Sequence, residues 1–170
     1  MMEDVNDWVA NKLKEVTSRK PEHTYRTFAV DQLVRAKIEG ELINAAANRD
    51  PVWPESKQSD YVFSVLAGTS CNTFLINQVR TKSNDLILEI YDGINRLTAL
   101  ENFMTGKMPV VLNKGTSKVK IWYTDGQIKE SIGCVKMSDS EKRKFGMRSI
   151  DVFIFDNLSP EEACDRAIKE

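Results

Sequence analysis

Histidine is almost missing from this sequence and cysteine is sparse: one histidine, His23, and three cysteines in 170 residues. A single histidine removes most metal centres and catalytic triads built on imidazole. His23 stands beside Pro21 and Glu22 in a polar stretch, so it is expected as an exposed loop residue. Cys71, Cys134 and Cys164 are odd in number and widely spaced, which argues against a disulfide framework and against a structural zinc site. No apolar run approaches the roughly 20 residues that cross a bilayer, so no membrane role is expected. The acidic, polar start Met-Met-Glu-Asp-Val-Asn-Asp-Trp does not read as a secretory signal, and a cytoplasmic or nuclear compartment is the expectation. Excess charge of either sign is lacking too, with 24 basic against 25 acidic residues. A strong electrostatic grip on DNA needs a basic domain or face. Only a local patch offers one here, and Lys12, Lys14, Arg19, Lys20 and Arg26 read as a solvated surface.

The composition that remains is that of a globular protein, and the length suits one domain with a real core. Val5, Trp8, Val9, Leu13 and Val16 have helical spacing, as do Val30, Leu33, Val34 and Ile38, with Gly40 as a stop signal. Asp50-Pro51-Val52-Trp53-Pro54 forces a loop. Helical spacing resumes over 55–67, and two β-type runs follow Gly68, Thr73–Val79 and Leu86–Tyr91. The polar turn 82–85 between them predicts an antiparallel pair. Asp92-Gly93 opens a helix from Ile94 to about Met104, closed by Thr105-Gly106. Val119–Tyr123 and Ile128–Ile132, joined by Asp125-Gly126, predict a hairpin. Ser138 and Glu141 have capping-box spacing, Ile150–Phe155 alternates like a strand, and Ser159-Pro160-Glu161-Glu162 starts a helix. Helices mixed with short strands make the fold class α+β.

The strand-to-helix junction at Asp92-Gly93 is where chemistry is expected. A helix start presents unpaired backbone N–H groups and partial positive charge, which suit a phosphate. Gly93 lets a ligand or a tight turn approach the backbone. Arg96, one turn in, lies at the edge of the stripe Leu97, Leu100, Met104, with Phe103 flanking, and can hold a phosphate bidentately. Asp92 can orient Arg96, cap the helix or hold a divalent cation. From spacing alone the purely structural alternative is the stronger, with Asp92 an N-cap and Arg96 paired with Glu89 or Glu101. A second constellation is Asn48-Arg49 with Trp53 and Lys57, where Trp53 reads first as a packing plug.

Taken together, Asn48-Arg49, Trp53, Lys57, Ser64 with Gly68, and Asp92-Gly93-Ile94-Asn95-Arg96-Leu97-Thr98 resemble the GmrSD-type restriction-endonuclease N-terminal domain family, a branch of the ParB-like proteins. Met137–Phe145, Ile150–Phe155 and Ser159–Ala163 resemble its later half, so the likeness covers residues 27 to 170. The family's Gln-Arg pair is Asn48-Arg49 here, and its two central glutamines are Ile94 and Asn95. Ile94 cannot hydrogen-bond, whereas Asn95 does a shorter version of a glutamine's work. The chain also ends where family members continue into a further segment.

The resemblance implies a ParB/sulfiredoxin-like mixed sheet of short strands with flanking helices over 27–170, preceded by a helical extension over 1–26. It implies a nucleoside triphosphate ligand in a DNA-defence setting, with DNA and a subunit carrying a nuclease domain as further partners. Arg49, Lys57, Asn95 and Arg96 would bind phosphate, Gly93 would allow close approach, and Asp92 would hold Mg²⁺ or a water. Asp92 and Arg96 would be the catalytic pair if hydrolysis occurs, yet no general base accompanies them, so binding is expected ahead of turnover. Two other readings stay open: a metal-dependent nuclease and a non-enzymatic interaction module. The nuclease needs a second carboxylate near Asp92, and Glu89, three positions back, points to the opposite face of a regular strand. Redox repair of the sulfiredoxin kind is set aside, because 92–96 holds neither Cys nor His.

Overall fold

A computed structural model describes residues 9, 23–46, 50–69, 73–81, 83–124 and 133–156. They form β1 (His23–Ala29), α1 (Val30–Ile38), β2 (Leu42–Asn44), α2 (Glu55–Ala67), β3 (Phe74–Arg80), β4 (Leu86–Asp92) and α3 (Ile94–Met104). There follow β5 (Val110–Lys114), β6 (Ser117–Trp122), β7 (Cys134–Lys136), α4 (Asp139–Gly146) and β8 (Ser149–Asp156). The α+β class therefore holds, with two mixed sheets ordered β1-β8-β3-β4-β2 and β5-β6-β7. In the larger sheet β3 is central, antiparallel to β4 and parallel to β8. Phe74, Leu75 and Ile76 are each no more than 1% exposed, the mark of a strand covered on both faces.

Local chemistry sets the helix limits. Pro54 precedes the first turn of α2, and Gly68, with φ of 73°, ends it in the left-handed conformation that glycine adopts freely. The Thr69 N–H then donates to the Ser64 carbonyl at 2.9 Å, completing the cap. In α4 the Glu141 N–H donates to Ser138 Oγ while the Ser138 N–H donates to the Glu141 carboxylate at 2.7 Å, the expected reciprocal box. The Ser138 hydroxyl and N–H, both donating to this carboxylate, hold it below the usual glutamate range.

The main core lies on the helix-bearing face of the larger sheet. From α3 it takes Ile94, Leu97, Ala99, Leu100 and Phe103, from α1 Val30, Leu33 and Val34, and from α2 Tyr61, Val62 and Val65. Each large side chain buried there stabilises the fold by about 1.5–3 kcal/mol. Phe103 meets Phe145 edge-on at 5.4 Å and Tyr123 at 5.6 Å, locking α3 to α4 and to the end of β6. Phe103 is thus central to the stripe, while Met104 is only partly buried. Lys37 of α1 ion-pairs with Glu101 of α3 at 2.7 Å, and the buried Ser59 hydroxyl of α2 accepts the Val111 N–H at 2.8 Å. Ala45, Leu75, Tyr91 and Phe155 form a smaller cluster, placed by strand alternation on the sheet's other face.

Several expectations need correction or fall elsewhere. His23 is exposed as expected but sits in edge strand β1 rather than a loop, edge-on to Phe153 and tilted against Phe155, because pairing with β8 supplies backbone partners that a polar stretch does not advertise. That strand crosses the residue-26 limit expected for the helical extension. Ile38 is 60% exposed, since α1 ends before its last turn reaches the core. β6 pairs with β5 and, in parallel, with β7. Residues 125–132, holding the expected hairpin turn and second strand, lie outside the described residues, as do the expected helix starting at Ser159 and nearly all of the first helix. No helix among the described residues is long and apolar enough to cross a membrane.

Candidate functional site

The site begins with an irregularity in β4. Leu75 pairs with Asp92 and Ile76 with Ile90, so Tyr91 is an extra residue opposite β3. Such a bulge re-aims the residue beside it. Gly93 follows with φ of 110° and caps α3 without any side-chain hydrogen bond. A Cβ on Gly93 would stand 2.9 Å from two ring carbons of Phe74, so glycine is required both by its φ and by the ring beneath it.

Arg96 projects over the same ring, its Cζ 5.0 Å from the Phe74 centroid, and donates through Nη2 to Asp92 Oδ2 at 2.6 Å. The Arg96 side chain is 13% exposed and that of Asp92 is 56% exposed. Asp92 is therefore an exposed, exchangeable partner for a guanidinium positioned by its packing. An ion pair with one partner open to solvent is worth on the order of 1 kcal/mol or less, so a competing anion can displace it. Neither Glu89 nor Glu101 takes Arg96. Glu89 instead accepts the Tyr91 hydroxyl at 3.3 Å, and Glu101 binds Lys37 and Lys107.

Asn95 lines the cleft and also holds the loop that faces it. Its Oδ1 accepts the backbone N–H groups of Val52 at 2.8 Å and Trp53 at 3.1 Å. The Trp53 carbonyl accepts from Gln58 Nε2 at 2.8 Å, and Gln58 Oε1 accepts from Asn102 Nδ2 at 2.9 Å. Three side-chain amides thus strap the proline-flanked loop to α3. Trp53 packs edge-on against Tyr61 and carries Lys57 Nζ 4.5 Å from its ring centroid. It is both a packing residue and a platform.

Asp50, Val52, Trp53, Tyr91, Asp92, Gly93, Ile94, Asn95 and Arg96 enclose an open cleft of about 350 Å³. The structure therefore brings together Asp92, Gly93, Asn95 and Arg96, and sets Lys57 beside them on Trp53. Asn48 and Arg49 lie outside the described residues. Asp50 is the carboxylate that sequence reasoning missed; its position next to Arg49 was the available signal, but only the fold carries that loop across to Asp92. Among the described residues of the cleft two carboxylates face one guanidinium, a set that matches a phosphate carrying a cation better than a bare one. A phosphate carrying Mg²⁺ suits it, because Mg²⁺ is commonly held by one or two carboxylates plus substrate phosphates. Among the described residues no group of three His, Cys, Asp or Glu side chains is placed to hold a metal without such a ligand. Comparison with protein-family models, with curated proteins and with solved structures finds no match for this chain.

Proposed function

We propose that the chain is a ParB-like nucleotide-binding domain, related to the GmrSD-type restriction systems, that holds the phosphates of a Mg²⁺–nucleoside triphosphate at the start of α3. The supporting observation is the convergence of Gly93, Arg96, Asp92 and Asp50 on one cleft of about 350 Å³ beside the Trp53 ring. Arg96 would take phosphate oxygens by exchanging Asp92 for the ligand, and the first N–H groups of α3 would add the partial charge of a helix start. Asp92 and Asp50 would then face the cation, whose chemistry when bound is to neutralise phosphate charge. Trp53 lines the cleft and carries Lys57 Nζ over its ring, a cation that would sit beside the ligand. With Asp50 and Asp92 both given to the cation, no further general base is left among the described residues of the cleft, so the reading is of binding ahead of hydrolysis, with DNA cutting left to a partner subunit.

One observation favours the non-enzymatic interaction module instead: Asp92 and Asn95 are already partnered within the chain, and Ile94 is a core residue. The nuclease reading loses Glu89, though Asp50 offers a second carboxylate. A thermal-shift titration with ATP, GTP, CTP and UTP, with and without Mg²⁺, separates these readings. A ligand at a hundred times its dissociation constant stabilises by about 2.7 kcal/mol, a shift on the order of 5–10 °C. A selective, Mg²⁺-dependent shift that vanishes in Arg96→Ala supports nucleotide binding. No shift in folded protein leaves the interaction module. Metal-dependent DNA cutting without nucleotide, lost in Asp92→Ala, would mean the nuclease.

A further inference from the structure

A second cleft, sharing no lining residue with the first, opens between the C-terminal half of α2, strand β6, Met137 just after β7, and α4. Leu66, Ile121, Met137 and Phe145 make its floor and Phe63 one wall, in a volume of about 330 Å³. Phe63 is 44% exposed, and Val135, which pairs with Ile121, is 52% exposed. The apolar surface therefore continues from the cleft onto the outer face of β7. Charge is confined to the rim, where Glu141, Lys144 and Arg148 stand.

The rim cations are not equivalent. Arg148 donates through Nη2 to the Leu66 carbonyl at 3.0 Å, which fixes its guanidinium over the end of α2. Gly68 makes room for it, because a Cβ there would lie 3.0 Å from Nη1. One of five donors is spent on Leu66, so the others are held at the rim at little further ordering cost. Lys144 has no ion pair within 4 Å among the described residues, although its charge helps depress the Glu141 carboxyl. Glu141, bonded to Ser138 at the start of α4, stays ionised, so the rim sets two cations against one carboxylate.

We propose that this cleft is a binding site for an amphiphilic carboxylate, its hydrocarbon chain on the Leu66–Ile121–Met137–Phe145 floor and its carboxylate on Arg148 and Lys144. The volume is at the lower end of small-ligand sites. A neutral apolar ligand would leave the rim cations unused, and a cationic one would meet them. The two clefts share no lining residue. The proposal does not depend on the nucleotide reading.

The test is isothermal titration calorimetry of the full chain with sodium decanoate, with decyltrimethylammonium as the opposite-charge control. Lys144→Glu and Phe63→Ser change exposed side chains, so both variants should fold, which circular dichroism verifies. The expected result is saturable single-site binding of decanoate, weakened about tenfold or more in both variants, with no saturable binding of the cation. Affinity in Arg96→Ala should equal that of wild type. The proposal is overturned if decanoate gives no saturable heat, if both variants bind it as wild type does, if the cation binds equally well, or if Arg96→Ala abolishes binding.

Discussion

The Cζ of Arg96 lies 5.0 Å from the centroid of the Phe74 ring, the same ring that comes within 2.9 Å of where a Gly93 Cβ would stand. One fully buried phenylalanine of β3 thus floors the site, imposing glycine on the turn and positioning the guanidinium of the helix that follows.

Gly93→Ala is expected to destabilise the fold by about 2–4 kcal/mol, combining a left-handed backbone with overpacking against a ring that cannot move. Urea denaturation measures it. A loss under about 1 kcal/mol would mean that the turn relaxes and that Phe74 does not constrain it.

Arg96→Ala should cost the apo protein about 1–2 kcal/mol, since it removes an ion pair, a cation–π contact and the packing of a side chain that is only 13% exposed. The nucleotide-induced thermal shift should disappear. Arg96→Lys keeps the charge without the planar fork and should recover only part of that shift. Full recovery would show that charge alone suffices.

Asn95 is expected to act on the loop. Asn95→Leu leaves the Val52 and Trp53 N–H groups without their acceptor, so their hydrogen exchange should accelerate and stability should fall by roughly 1–3 kcal/mol. Asn95→Asp retains an acceptor oxygen and should protect both amides nearly as wild type does. Unchanged exchange in Asn95→Leu would refute the strap.

Glu101 carries a pH dependence. Burial pushes its carboxyl up, but hydrogen bonds and charge from Lys37 and Lys107 outweigh that, leaving it below the ordinary glutamate range. A depressed folded-state value contributes stability that is full above the unfolded pKa and is lost as pH falls through the folded one. Glu101→Gln should therefore be less stable than wild type near neutral pH by roughly 0.5–1 kcal/mol, with the gap closing as the carboxylate is protonated in acid. A gap independent of pH would assign the effect to packing.

Much of the scaffold around the site was legible. The limits of α2 follow from Pro54, the 55–67 periodicity and Gly68, and α3 from Asp92-Gly93 and the apolar stripe. Ser138 and Glu141 announce α4, and the apolar runs announce β3, β4 and β8. These signals are local, each resolved within a turn of helix or by alternation along a strand. By contrast β1 is polar and paired at an edge, while β2 is only three residues long, and both exist because another strand lies alongside. The exposed Ile38 shows the same limit, since periodicity names a face but not where the core stops.

What the sequence by itself determined is the α+β class, most of the helices and the place where a strand hands over to a helix at Asp92-Gly93. Only the tertiary structure decided what surrounds that place. It set the bulge at Tyr91, put Phe74 beneath Gly93, brought Asp50 to the cleft and gave Asn95 to the amides of Val52 and Trp53, 43 and 42 positions away. The reason is physical: capping, turn chemistry and periodicity act between near neighbours, whereas these contacts join segments that meet only when the sheet and α3 close on one core.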